Sequence, residues 1–290
     1  MRIDVFLTEA CDMSRSYVQK LLKSQSVTVN GRIVKASYQT VPMDDVRVEA
    51  PDGVEPEIEA ELMDLDILYE DEDVILINKP KGMVVHPAAG HYSGTLVNGL
   101  MAHCREQLSG INGIMRPGIV HRIDMDTTGV LIVCKNDRAH HSIAAQLKEH
   151  SVTRRYRAIV HGVIKEDRGC VDAPIGRHPA DRKKMSVNKK NGRPAVTHYE
   201  VLKRFRQFTY IECVLETGRT HQIRVHMASI HHPLLGDKVY GPERCPFGLQ
   251  GQTLHAGVLG FVHPGTGKYM EFEAPLPQYF EELLRKLEGM

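Results

Sequence analysis

The sequence predicts an α+β fold in two parts, a small N-terminal module and a larger body, and three observations carry that expectation. Within the first fifty residues, two short helical patterns are followed by β-rich runs around an Asn-Gly turn. Residues 51–73 hold eleven Asp/Glu and no Lys or Arg, which sets the module off from the rest. Downstream, short β-rich runs outnumber helical patterns and do not alternate with them strictly, which argues against a doubly wound sheet. With 290 residues, 42% of them hydrophobic, the chain can bury one sizeable core and one smaller one.

In the module, Ile3, Val5, Phe6 and Leu7 predict a short helix beginning after Arg2. Ser14 or Ser16 can cap a second helix, in which Val18, Leu21 and Leu22 recur at helical spacing. The run Val27-Thr28-Val29-Asn30-Gly31-Arg32-Ile33-Val34 predicts a hairpin, and Val46 to Val48 closes a small sheet. Arg15, Lys20, Lys23 and Arg32 fall on the polar surfaces of this unit. The order Arg-Ile-Asp, Ser-Arg-Ser, Lys-Leu-Leu and Val-Thr-Val-Asn-Gly resembles the S4-type RNA-binding module, over about fifty residues. The resemblance implies an RNA-binding domain over residues 1–60, in which those four cations meet phosphate. An acidic linker to about residue 70 is expected next, then a body over 70–290. Leu62, Leu65 and Ile67 are candidates for the start of that body.

In the body, strands are expected at Val74–Asn78, Val130–Cys134, Tyr156–Val160, Tyr210–Leu215 and Thr253–Val258. Helices are expected at Thr95–Arg105, Arg138–Glu149 and Thr220–Ile230. The net charge of +1 conceals a gradient: residues 1–50 hold seven basic and six acidic side chains, residues 51–73 none and eleven, and residues 74–290 thirty and nineteen. The body is therefore basic, most densely between Arg177 and Arg206, and suits a polyanionic partner.

Several function classes are excluded by what the sequence lacks. No apolar run approaches the 18 or so residues of a membrane span, and the opening carries Asp4 and Glu9, so a cytoplasmic protein with no membrane partner is expected. Six dispersed cysteines without a C-x-x-C pair predict free thiols. Gly265-Thr266-Gly267-Lys268 fails as a phosphate loop, because Val262 and Tyr269 stand where Gly and Ser/Thr are required. No G-x-G-x-x-G and no H-E-x-x-H occur, so neither a nucleotide cofactor nor a catalytic metal is expected.

The run Gly118-Ile119-Val120-His121-Arg122-Ile123-Asp124-Met125-Asp126-Thr127-Thr128-Gly129 lies between apolar segments, which puts Asp124 on a loop at a strand end. An isolated Asp in such a run is more often a turn former than a catalyst. Four further runs accompany it in order: Asn78-Lys79-Pro80-Lys81-Gly82-Met83 with Val85-His86-Pro87; Arg155-Tyr156-Arg157-Ala158; Gly218-Arg219-Thr220-His221-Gln222-Ile223-Arg224; and His232-Pro233-Leu234-Leu235-Gly236-Asp237 with Tyr240-Gly241. Together they resemble the RluA/RluD family of pseudouridine synthases over nearly all of the chain beyond residue 70. Ile123 and Thr128 are mild departures from that family's Leu and Ser. Pro174 to Arg177 and Lys183-Lys184-Met185 further resemble its branch acting on large-subunit ribosomal RNA.

The resemblance implies a mixed, largely antiparallel sheet with flanking helices, and an isomerase that converts uridine in structured RNA to pseudouridine without a cofactor. It assigns catalysis to Asp124, with Tyr156 stacking on the uracil; Arg219, at the expected start of a helix, can pair with the carboxylate, and Arg224 is the second candidate for that pairing. It gives Arg122 the place vacated by an extruded base, with His121 orienting the loop. Two alternatives compete: a noncatalytic RNA-binding protein of ribosome assembly, and a metal-dependent RNA hydrolase built on His121, Asp124 and Asp126.

Overall fold

The computed structural model describes residues 1–11, 15–49, 58–88, 90–105, 107–111, 116–181 and 184–290, without the side chains of residues 9, 15–17 and 20. The chain divides into two compact units, Met1–Pro56 and Glu57–Met290. The first contains α1 (Ile3–Ala10), α2 (Arg15–Lys23), β1 (Val27–Val29), β2 (Arg32–Ile33) and β3 (Val46–Val48), with the strands in antiparallel order β2-β1-β3. Asn30 and Gly31 have φ of +50° and +74°, the left-handed pair that a two-residue hairpin turn requires. Asn30 also binds Asp44 and the Asp45 amide, which ties the turn to the approach of β3. Ile3, Leu7, Val18, Leu21, Leu22, Val27 and Val29 are its buried core. Lys23 and Arg32 are exposed; Ser14 and the side chains of Arg15, Ser16 and Lys20 lie outside the described residues.

The second unit begins earlier than the acidic composition suggests. Ile58, Leu65 and Ile67 pack on its main core, and the Asn98 amide donates to the Glu59 carbonyl at 2.8 Å, whereas Leu62 is exposed. Its elements are β4 (Ile67–Glu70), β5 (Val74–Lys79), α3 (Leu96–Cys104), β6 (Thr128–Cys134), α4 (Asp137–Lys148), β7 (Thr153–His161), β8 (Arg168–Asp172), β9 (Ile175–Arg177), β10 (Met185–Val187), β11 (Val196–Arg204), β12 (Phe208–Leu215), α5 (Gln222–Ser229), β13 (Leu254–Val262), β14 (Tyr269–Glu273) and α6 (Gln278–Glu288). Nine strands form one sheet in the order β4-β5-β6-β13-β7-β12-β11-β8, with β14 beside the far end of β13; β9 and β10 pair separately. Every pairing in the large sheet is antiparallel except β6 with β13. Among the described residues no helix is long and apolar enough to cross a membrane, and all six cysteines are free.

The alternation of strand side chains explains why β5 and β6 read as continuous apolar runs. Ile75, Ile77, Leu131 and Val133 face Leu96, Val97 and Leu100 of α3, while Val74, Leu76, Val130 and Ile132 face Ala139 and Ile143 of α4. Both faces are covered, so neither strand carries a polar stripe. Helix α6 buries Phe280, Leu283 and Leu287 against Ile159, Phe208 and Leu235.

The parallel contact between β6 and β13 needs a glycine. Gly129 has φ of +110°, and a Cβ there would overlap the backbone of Ala256, its partner in register. Gly129→Ala should therefore force these strands apart, costing about 3 kcal/mol. In thermal denaturation that is a fall of roughly 6–12 °C in Tm; an unchanged Tm would show that the strands separate freely.

Candidate active site

Asp124 stands on the loop between Gly118 and β6, and five hydrogen bonds fix that loop. The His121 Nε2 accepts the Ile132 amide at 3.1 Å, so the ring tethers the loop to β6. The Asp124 carbonyl accepts the Thr127 amide at 3.0 Å, closing a turn. The Thr127 hydroxyl accepts from Gln252 Nε2 at 3.1 Å. The Met125 carbonyl receives both the Gly82 amide and the Lys79 ammonium, at 3.0 and 2.9 Å.

Lys79 is fully buried and donates also to the carbonyls of Pro80 and Met83, at 2.7 and 2.9 Å. Burial pushes this ammonium down to about 7. Three carbonyl acceptors nevertheless require three N–H donors, which only the charged form supplies.

The Asp124 carboxylate, about a quarter exposed, accepts from Arg224 Nη1 at 2.8 Å. Arg224 lies on the first turn of α5, buried, and its remaining edge forks onto Asp237, Nε at 2.6 Å and Nη2 at 3.0 Å. Asp237 is held in turn by the amides of Val239 and Tyr240. Burial alone would lower the Arg224 pKa, but the hydrogen bonds and charge of Asp237, with those of Asp124, outweigh it and raise the value. The guanidinium is thus permanently charged and positioned by one carboxylate in order to hold another.

His221, in a left-handed conformation at the start of α5, places Nε2 at 3.8 Å from the other Asp124 oxygen, and its Nδ1 meets the Tyr240 hydroxyl at 2.8 Å. Burial lowers the His221 pKa, against the opposing charge of Asp124.

Arg219 lines the same recess but does not pair with Asp124. It sits in the loop before α5 and donates Nε to the Pro194 carbonyl at 3.0 Å, so the pairing falls to Arg224. The physical reason is helical phase: Arg224 is within α5, on its buried side, whereas Arg219 precedes the helix. Tyr156 does reach the site. It is buried on β7, and with Thr127, Leu215, Ile223 and Leu254 it lines a recess that opens beside Asp124. Burial raises the pKa of its phenol, which stays protonated near neutral pH.

This recess adjoins a cleft of about 690 Å³ whose walls include His86, Arg116, Arg122, Lys148, Arg154 and Arg219. Arg122 is exposed on the cleft wall. His121, Asp124 and Asp126 do not gather as metal ligands; the described residues that do cluster are Glu70, His103 and Cys104, outside the cleft. In that cluster Glu70 is already bonded to Lys135 and His103.

Comparison with known proteins accounts for this arrangement. Residues 73–229 match the family described as RNA pseudouridylate synthase, and residues 1–46 match the S4 domain. The chain belongs to the RNA pseudouridine synthase family. It is 58% identical to the uncharacterized RNA pseudouridine synthase YlyB of Bacillus subtilis over 287 residues, 99% of this chain and 94% of that one. It is 46% identical to ribosomal large subunit pseudouridine synthase D of Zymomonas mobilis over 285 residues, 95% of this chain and 90% of that one. Among solved structures, human RNA pseudouridylate synthase domain containing 1 aligns with a TM-score of 0.60 at 25% identity, covering 80% of this chain and 97% of that one.

In this synthase the charge network at Asp124 invites a stability test. Arg224→Met would leave Asp124 and the fully buried Asp237 without a cation, costing about 3–5 kcal/mol at pH 7. Denaturant melts of the variant and the wild-type chain at pH 7 check this; a deficit below about 1 kcal/mol would show that the two carboxylates tolerate the loss of their shared cation.

Proposed function

We propose that this synthase isomerises a uridine of structured large-subunit ribosomal RNA in the cytoplasm, with Asp124 as its catalytic carboxylate and the N-terminal unit as an RNA anchor. The observation that carries the reading is the Asp124–Arg224–Asp237 chain at the junction of an apolar recess and a basic cleft. Support for the substrate comes from the relatives named as ribosomal large subunit pseudouridine synthase D. Support for the anchor comes from the S4 match and from exposed Lys23 and Arg32, to which the sequence adds Arg15 and Lys20.

The reaction breaks the bond from ribose to ring nitrogen 1, turns the uracil and rejoins the sugar to carbon 5; carbon 5 gives up its proton and the freed nitrogen 1 gains one. Atoms and electrons balance without oxidant or water. The carboxylate can attack the sugar, add to the base or take a ribose proton; each path starts from an Asp124 held in place, which the hydrogen bond from Arg224 provides. The recess walls of Leu215, Ile223 and Leu254 shield the detached base from water. Tyr156 stacks on that base from the strand side. Extraction of the nucleotide from an RNA helix costs a few kcal/mol, and the exposed guanidinium of Arg122 fills the vacated stack. His121, neutral because burial lowers its pKa to about 4, keeps the Arg122 loop in place.

Asp124→Asn should abolish pseudouridine formation, by roughly a thousandfold or more, while RNA affinity stays within about twofold. Near-normal turnover by the purified variant would refute the assignment. Tyr156→Phe should bind normally and react about ten- to a hundredfold more slowly, with Tyr156→Ala worse in both respects. Removal of residues 1–50 should weaken binding to folded ribosomal RNA and flatten its salt dependence, because a protein that neutralises fewer phosphates releases fewer counterions. Its saturated rate on a short stem-loop should change little. A collapse of that rate in a truncated chain that stays folded would assign the N-terminal unit to the chemistry instead.

A further inference from the structure

Strand β7 uses its two faces differently. Residues 154, 156 and 158 point to the buried side and residues 155 and 157 to the other. On the outer face Arg155 pairs with Glu271 and Arg157 with Glu212. On the inner face Arg154, only 7% exposed, has no ion pair with any described Asp or Glu. Among the described residues its one hydrogen bond runs from Nη2 to the Glu216 carbonyl at 3.2 Å, and its Nε is buried with no partner. Its charged neighbour is another cation, Arg219, and burial together with that neighbour lowers the Arg154 pKa from its ordinary value.

An unpaired buried cation beside a second cation is costly and persists where something else gains by it. Both guanidiniums open onto the cleft that contains Asp124. Gly218 keeps the space clear: a Cβ there would come within 2.6 Å of Arg154 Nη1. Arg219 uses its Nε on Pro194, and its side chain has no other hydrogen bond among the described residues. Arg154 is two residues from Tyr156 on the same strand face, about 6.6 Å along the chain. That separation matches the reach from a pyrimidine ring across its ribose to the adjoining phosphate.

We infer that Arg154 and Arg219 form a clamp for an RNA phosphodiester flanking the target uridine, fixing the nucleotide's position against Asp124. The inference rests on the pseudouridine synthase reading of this site. Two donors of Arg154 and the free amines of Arg219 straddle one phosphate, whose charge supplies what the protein leaves unpaired.

The test is a methylphosphonate scan. Synthetic ribosomal RNA fragments, each with one neutral linkage within three nucleotides of the target, are assayed in single turnover with the full-length wild-type chain, Arg154→Met and Arg219→Met. One flanking position should cost the wild type roughly ten- to a hundredfold in half-saturating concentration, with much smaller losses elsewhere. On unmodified RNA, Arg154→Met should show a similar loss, and the neutral linkage at that position should add nothing further. Wild-type indifference to both flanking linkages overturns the clamp, as does a variant whose loss multiplies with that of the linkage. Should Arg154→Met fail to fold, the wild-type scan and the more exposed Arg219→Met decide the question. If the wild type forms no pseudouridine in any fragment, the functional reading itself has failed and the clamp falls with it; pseudouridine formed at an undiminished level from every fragment refutes the clamp alone.

Discussion

Arg224 is the constraint around which the catalytic unit is arranged. A buried guanidinium needs a permanent counter-charge, and Asp237 supplies one by a two-pronged hydrogen bond. Only after that bond is made can the remaining amine be aimed at Asp124 without the cation drifting toward solvent. Asp237 is itself fixed by two backbone amides, so the position of the Asp124 carboxylate traces back to main-chain geometry beyond α5. The loop on the other side is restrained in the same way, by a buried lysine that binds carbonyls instead of carboxylates. Two buried cations thus hold Asp124, one at its side chain and one at the peptide that follows it.

Much of the fold is legible because local patterns and tertiary demands agree. The Asn30-Gly31 turn, the helical spacing of Val18, Leu21 and Leu22, and the apolar runs of β5 and β6 each state their structure in a few residues. Strands β8 and β11 are not: their residues alternate incompletely, since one face of this sheet region is half-exposed and carries Arg, Glu and His. Helix α6 has a clear apolar stripe, Phe280, Leu283 and Leu287, but no motif marks it.

The site is legible in its residue types and less so in their pairing. Asp124, Tyr156 and both arginines lie in runs that stand out in the sequence, yet which arginine meets the carboxylate depends on where α5 begins. His221 takes a left-handed conformation there, shifting the helix start past Arg219 and turning Arg224 inward. Composition does not specify such a backbone angle. Lys79, His221, Asp237 and Tyr240 are equally visible within ordered runs, and only their hydrogen bonds distinguish them as supports of the site. Arg154 escapes notice in the sequence because one more arginine in a basic strand looks like surface charge until its burial is known.

The contact of β6 with β13 also governs when activity can arise during synthesis. Thr128 and His255 are hydrogen-bonded across it although 127 residues apart in sequence, and such distant pairings form late because the intervening chain must first be ordered. The first unit has its helix pair and hairpin complete within its first fifty residues. A nascent chain can therefore finish that unit while Asp124 waits on a loop whose supporting strand has not yet been made. Competence for chemistry therefore waits for β13, long after the N-terminal module has had time to fold.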